Sequence, residues 1–212
     1  MVKVRELKRR ADTVLEEVFR SLFEEIDMDK VRAEVAAIRA GAPETERIEH
    51  ARQLSRRTAI RCAAAGAVTG LPSGVFAIGA LGADLSYLMF QQFRLIVAIA
   101  TMYGHEPNGR ERFTEAMSCL AYASGVGIGK HGIGTLLESA TVEGGVIAEK
   151  IGTRFVRERL AKAIPFVGAL SGGALNYWSV RAVGRAAVRY YESRVEESLA
   201  EEIWAEGDRE HA

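Results

Sequence analysis

Apolar residues recur at three- and four-residue steps from the start of the chain: Val4, Leu7, Ala11, Val14, Leu15, Val18, Phe19, Leu22, Phe23 and Ile26, with Arg, Lys and Glu between them. A stripe of that period predicts an amphipathic helix of about 20 residues. Asp27 or Asp29 can accept hydrogen bonds from first-turn amides and so start a second helix, through Val31, Val35 and Ile38 to Gly41. After Ala42-Pro43 a third helix begins near Glu44, with Ile48, Ala51, Leu54 and Thr58 on one face. It continues into an Ala/Gly-rich run to about Gly70. Pro72 lacks an N–H and clashes with the preceding turn, which predicts a break over Leu71–Gly74. A longer helix follows from about Val75 to Tyr103, with Gly104 as its C′ residue.

Turn chemistry at His105–Arg110 marks a surface loop, followed by helices over Glu111–Ala123 and Thr141–Ala163. Near the C-terminus Pro165 and Gly168, Gly172 and Gly173 precede a last long helix, which Asn176 is expected to begin and cap. The pattern is all-α: a multi-helix bundle built around two Gly/Ala-rich, Pro-broken helical hairpins. It divides into N-terminal amphipathic helices over 1–43, a helical domain over 44–206 and an acidic tail over 207–212.

Charge changes this picture in two places. From Cys62 to Ala83 there are 22 positions without a charged residue, and a helix of about 20 apolar residues can cross a hydrocarbon core. The run is rich in Ala and Gly, so it reads either as the close-packed centre of a helical protein or as a segment that meets a membrane. A mean hydropathy close to zero argues against many spans. The formal net charge is zero, but Lys130–Tyr190 holds 9 basic and 4 acidic residues and Tyr191–Ala212 holds 2 and 8. A basic middle suits an anionic surface, or the acidic end from Glu192 to Glu210 folding over it. Arg52, Arg56, Arg57 and Arg61 crowd one helix and read as membrane-side anchors or as a solvated face paired with Glu46 and Glu49. Lys3, Arg5, Lys8, Arg9 and Arg10 give the first helix a membrane-surface reading beside that of a bundle helix. The N-terminus lacks an apolar leader core and the two cysteines, Cys62 and Cys119, read as buried free thiols; the expected compartment is the cytoplasm.

The candidate binding residues are polar groups on apolar helices. Asp84, Gln92 and Arg94 interrupt the long apolar helix, with Asp84, Leu88, Gln92, Leu95 and Ile99 on one face. A buried carboxylate there needs a partner, either a ligand or a later arginine. Arg181, Arg185 and Arg189 recur every four residues on the last helix and can grip phosphate or carboxylate. Ser124–Thr135 is glycine-rich, but Lys130 is followed by His131 and no strand precedes it, so it is not a phosphate loop. The histidines have no metal-ligand spacing, no nucleophile elbow or zinc-protease motif occurs, and no basic stripe with interleaved aromatics suggests nucleic acid. No cofactor and no metal is expected, and no catalytic residue is assigned.

The Ala/Gly-rich run with Pro72, Asp84-Leu85, Gln92-Phe93-Arg94-Leu95-Ile96 with Tyr103-Gly104, Ile164-Pro165-Phe166-Val167-Gly168-Ala169, Asn176-Tyr177 and Val183-Gly184-Arg185-Ala186-Ala187 together resemble the EcsC protein family over about Ala51–Tyr191. The first helix, Met1 to Ile26, falls outside that resemblance. The resemblance implies a bacterial, mostly helical protein associated by name with an ABC-transporter operon, hence a link to membranes or secretion. The expected function is that of a non-enzymatic accessory protein binding lipid or an anionic membrane surface at the inner face of the plasma membrane. Asp84, Gln92, Arg94, Asn176, Arg181, Arg185 and Arg189 are its candidate contacts, and a membrane transporter or a second copy its candidate partner. The alternative is a soluble small-molecule binder or enzyme, its apolar pocket lined by Asp84, Gln92, Asn176 and Arg181.

Overall fold

The computed structural model describes residues 17–43, 45–69, 75–106, 109–124 and 167–210. These form helices α1 (17–24), α2 (Met28–Gly41), α3 (Arg47–Thr69), α4 (Val75–Met102), α5 (Gly109–Ala123) and α6 (Val167–Glu210), with no strand among the described residues. The basic start of the chain, the Pro72 break, the glycine-rich Ser124–Thr135 run beyond Ser124, the helix expected over Thr141–Ala163, and Pro165 lie outside the described residues.

Local chemistry sets the helix ends. Asp27 caps α2, its Oδ1 accepting from the amides of Asp29 and Lys30 at 3.1 Å each. Those bonds, the Lys30 amide foremost, hold its carboxyl below the usual carboxylate range. Asp27→Ala is expected to cost about 1 kcal/mol, read as a lower denaturant midpoint. At the end of α4 the chain turns through Gly104 at φ +78. The His105 amide donates to the Ala100 carbonyl and the Gly104 amide to that of Thr101, the paired bonds of a Schellman cap. Arg39 of α2 donates to the Met102 carbonyl at the same end.

α6 is the axis of the bundle. Its partners are α3, which runs antiparallel to it with the most extensive contact, and α4 and α5; α2 lies on α4. Small residues make the α3–α6 approach close. A Cβ on Gly173 would stand 2.9 Å from the Ala63 carbonyl oxygen, and one on Gly184 would overlap Ser55 and come within 2.7 Å of its Cβ. The Asn176 amide donates to the Cys62 carbonyl across the same crossing at 3.0 Å. The described part of the Ala/Gly-rich run therefore serves helix–helix approach.

The core is continuous from α1 to α6, with Leu88, Phe93, Ile96, Ile99, Met117, Leu120 and Tyr191 among its most buried side chains. Phe93 stacks edge-on against Phe19 and Phe23, and Phe23 against Phe113, at 5.4–6.0 Å between rings. The first helix is thus tied to the domain that follows, and Arg20 lies over the Phe113 ring at 4.6 Å. Phe93→Ala is expected to cost about 3–5 kcal/mol, since the ring is fully buried among three others.

Two expectations are corrected. Asn176 does not begin the last helix, which starts at Val167; it is an interior, fully buried residue, because the glycines before it are tolerated where α3 comes close. The acidic end does not fold over the basic stripe, because α6 is one helix through Glu210 and its acidic half continues along the axis. Its 44 residues span about 66 Å.

Candidate functional site

From His50 along α3, and over the first half of α6 as far as Tyr191, the outer edges of the two helices carry one sign of charge. Arg52, Arg56, Arg57 and Arg61 of α3 and Arg185 and Arg189 of α6 are exposed, and Arg181 is half-buried between the two helices. Arg181 Nη1 donates to the Arg52 carbonyl at 3.1 Å, which places the edges of the two helices side by side. No Asp or Glu occurs from His50 to Thr69 or from Val167 to Tyr191. Arg52 reaches Glu49 at 3.3 Å and Arg189 the Tyr122 hydroxyl at 3.3 Å. Among the described residues no carboxylate pairs with Arg56, Arg57, Arg61 or Arg185. Two large apolar side chains stand in the same region, Ile60 at 53% exposure and Trp178 at 64%. A cationic surface with exposed apolar side chains offers both terms that hold a protein on an anionic phospholipid surface.

The other candidate residues do not join this face. Gln92 is fully buried, its Nε2 donating to Ser179 Oγ at 2.8 Å, while its Oε1 has no partner among the described residues. Asn176 lies one turn before Ser179 and points to α3. Arg94 is held by Glu34 of α2 at 2.6 Å, so it joins α2 to α4. Asp84 lies on α4, and its side chain is outside the described residues. The structure therefore puts Gln92 in the α4–α6 interface and Asn176, one turn from Ser179, in the α3–α6 interface with Arg181 at the outer edge of the latter, and sends Arg94 elsewhere.

One polar cluster has no counterpart in the sequence reading. Glu115 of α5 is only 5% exposed. Its Oε1 lies 2.9 Å from His105 Nε2 and 3.5 Å from Arg194 Nη2, and its Oε2 accepts from the Tyr191 hydroxyl at 3.3 Å. His105 follows the Gly104 turn, Glu115 is on α5, and Tyr191 and Arg194 are on α6, so this carboxylate ties three elements together. Burial and then the Cys119 and Glu115 charges push the Tyr191 hydroxyl well above its ordinary range. Burial first, and Glu115 second, push the Cys119 thiol up as well. A thiol raised in this way is a poor nucleophile. Nearby, Tyr103 donates to Glu192 at 3.2 Å and is pushed up to about 12 by burial and by that carboxylate. The available signal was the run after Glu115, Ala116–Ala121, which holds only apolar and small residues.

Among the described residues no group of His, Cys, Asp and Glu is arranged to hold a metal ion. One described stretch, Leu85–Met102, is long and apolar enough to cross a membrane, and 61% of it is buried inside the protein.

The sequence profile of the EcsC protein family matches residues 6–195. This chain belongs to the EcsC family. The match starts well before Ala51, so the first amphipathic helix is part of the EcsC unit and not an addition to it, in keeping with Phe19 and Phe23 standing in its core. No curated protein and no solved structure matches the chain. Within this EcsC fold both the arginine face and the Glu115 cluster fall inside the matched residues.

Proposed function

We propose that this EcsC-family chain is a non-enzymatic accessory protein that attaches to an anionic phospholipid surface through the arginine face of α3 and α6. The observation that carries the reading is a set of exposed arginines without carboxylate partners among the described residues, bordered by Ile60 and Trp178. Each cation near an anionic bilayer surface contributes about 1 kcal/mol. Arginine's planar fork also binds a phosphate with two parallel hydrogen bonds. Attachment at the cytoplasmic face of the plasma membrane, in support of transport or secretion, belongs to the same proposal and draws on the family resemblance.

The test is flotation of the full chain with vesicles containing anionic phospholipid, at low and high salt. The wild type should float at low salt and be released at high salt, as screening weakens exposed charges. Arg56→Glu with Arg57→Glu should lower the bound fraction by about tenfold or more, since two attractive terms near 1 kcal/mol each become repulsive. Equal flotation of this variant, or no flotation of the wild type, would sink the reading. A second reading, a small-molecule site between the helices, is favoured by the unpartnered Gln92 Oε1 beside Ser179. Native mass spectrometry of the purified chain would show a co-purified ligand as added mass, which Gln92→Leu would remove.

A further inference from the structure

The exposed ridge of α6 is complementary to itself. Taken at alternating four- and three-residue steps, one side of the helix holds the positions of Trp178, Ala182, Arg185, Arg189, Glu192, Glu196, Leu199 and Ile203. That spacing is the period of a seam between two packed helices. Over its described part the ridge faces outward: Trp178, Arg185, Arg189 and Glu196 are exposed, and Ala182 and Glu192 are half-buried. A second copy laid antiparallel, with the two-fold axis between residues 190 and 191, sets Trp178 against Ile203 and Ala182 against Leu199. The same register sets Arg185 against Glu196 and Arg189 against Glu192. A parallel arrangement in register sets Arg185 and Arg189 against themselves and fails. Within one chain the two halves cannot meet, because α6 is a single helix.

We propose that a second copy of this chain docks on this ridge, α6 against α6 in antiparallel register, to form a two-fold-symmetric dimer. Such an interface is isologous, each basic half meeting the partner's acidic half, and leaves no open end for further growth. Arg189 and Glu192 already contact Tyr122 and Tyr103 through one atom each. A guanidinium has further N–H donors and a carboxylate further lone pairs, so both retain capacity for the partner. The dimer does not rest on the headgroup reading. It takes Trp178, Arg185 and Arg189 from that face and leaves Arg56, Arg57, Ile60 and Arg61 exposed on α3.

Cysteine pairs test the register. Positions 182 and 199 lie 17 residues apart on the helix, about 25 Å, far beyond the roughly 7 Å that a disulfide spans between Cα atoms. The full chain carrying Ala182→Cys, mixed with the full chain carrying Leu199→Cys, should give a covalent dimer under mild oxidation, and neither variant alone should. The native thiols Cys62 and Cys119 are buried and serve as background in the wild-type control. By light scattering the wild type should have the mass of two chains. Arg185→Glu with Arg189→Glu should fall to the mass of one chain, and adding Glu192→Arg and Glu196→Arg should restore two. A wild type of one chain's mass at every concentration overturns the proposal. So does cross-linking of either single variant alone as efficiently as the mixture. A dimer that survives the first charge reversal overturns it too. If the charge-reversed chains do not fold, judged by circular dichroism, the cysteine mixture still decides.

Discussion

Replacing Gly184 with alanine is expected to destabilise the protein by about 1–3 kcal/mol, the range for an overpacked interior site. On helix propensity alone the same change would stabilise by about 1 kcal/mol, because glycine is the poorer helix former. The sign is decided across the crossing with α3. A Cβ at 184 would overlap Ser55 and stand 2.7 Å from the Ser55 Cβ, with Leu95 Cδ2 behind it at 3.6 Å. The Ser55 Cβ is fixed to its backbone, so the clash is relieved only by moving one helix against the other. Two helices in their most extensive contact would then separate along a buried face. The partner change tests the cause. Ser55→Gly removes both overlapping atoms, so the double variant Ser55→Gly/Gly184→Ala should recover most of the loss, short of about 1 kcal/mol for a glycine now placed in α3. The loss of the Ser55 hydroxyl bond to the Ala51 carbonyl, 2.7 Å within one helix, adds little. Denaturant midpoints of the four proteins in this cycle give the coupling. A stabilised Gly184→Ala would show that the helices do not approach so closely in solution.

That crossing also shows what the amino-acid pattern could and could not carry. Features decided by neighbours in the chain were legible. A cap at Asp27 or Asp29, a helix end at Gly41 and a turn at Gly104 after α4 follow from residue types and spacing, and the structure has all three, with Asp27 as the cap. The buried face of α3, from Ala51 through Leu54 and Thr58, follows from its period. Features decided across the fold were not. Gly172 and Gly173 look like a break in isolation, yet α6 passes through them, since α3 lies against that turn and leaves no room for a side chain at Gly173. For the same reason Asn176 looked like a cap and is an interior donor to α3. Arg94 was read with the binding residues as a polar group on an apolar helix; its partner, Glu34, is sixty residues away on α2. Glu115 was overlooked because its bonds to His105, Tyr191 and Arg194 exist only when α5, α6 and the turn after α4 meet. The arginine stripe of α6 was legible, whereas its junction with the α3 arginines required the antiparallel crossing.

The same meeting of helices sets the alkaline limit of the fold. Cys119 and Tyr191 are both raised above their ordinary ranges, burial being the first cause and negative neighbours, Glu115 among them, the second. In the unfolded chain these groups ionise near 8.5 and 10. Folded, they hold their protons to higher pH. A group whose folded pKa is raised contributes stability that is complete below its unfolded pKa and lost as pH climbs toward the folded value. The loss should therefore begin near pH 9 through Cys119 and steepen above pH 10 as Tyr191 joins. Each group that is ionised when unfolded and protonated when folded removes about 1.4 kcal/mol per pH unit. With two such groups the stability should fall by roughly 3 kcal/mol per pH unit above pH 10, enough to exhaust a typical domain within a few units. Tyr103, pushed up to about 12 beside Glu192, should add to the slope in the same window. Urea midpoints measured at stepped pH from 8 to 11 test this directly. Cys119→Ala and Tyr191→Phe should each flatten the slope by about 1.4 kcal/mol per pH unit, while Tyr191→Phe also lowers the neutral-pH midpoint by removing the bond to Glu115. A wild-type midpoint that stays level from pH 9 to 11 would mean that the two groups are hydrated in solution and that the Glu115 cluster is open to water.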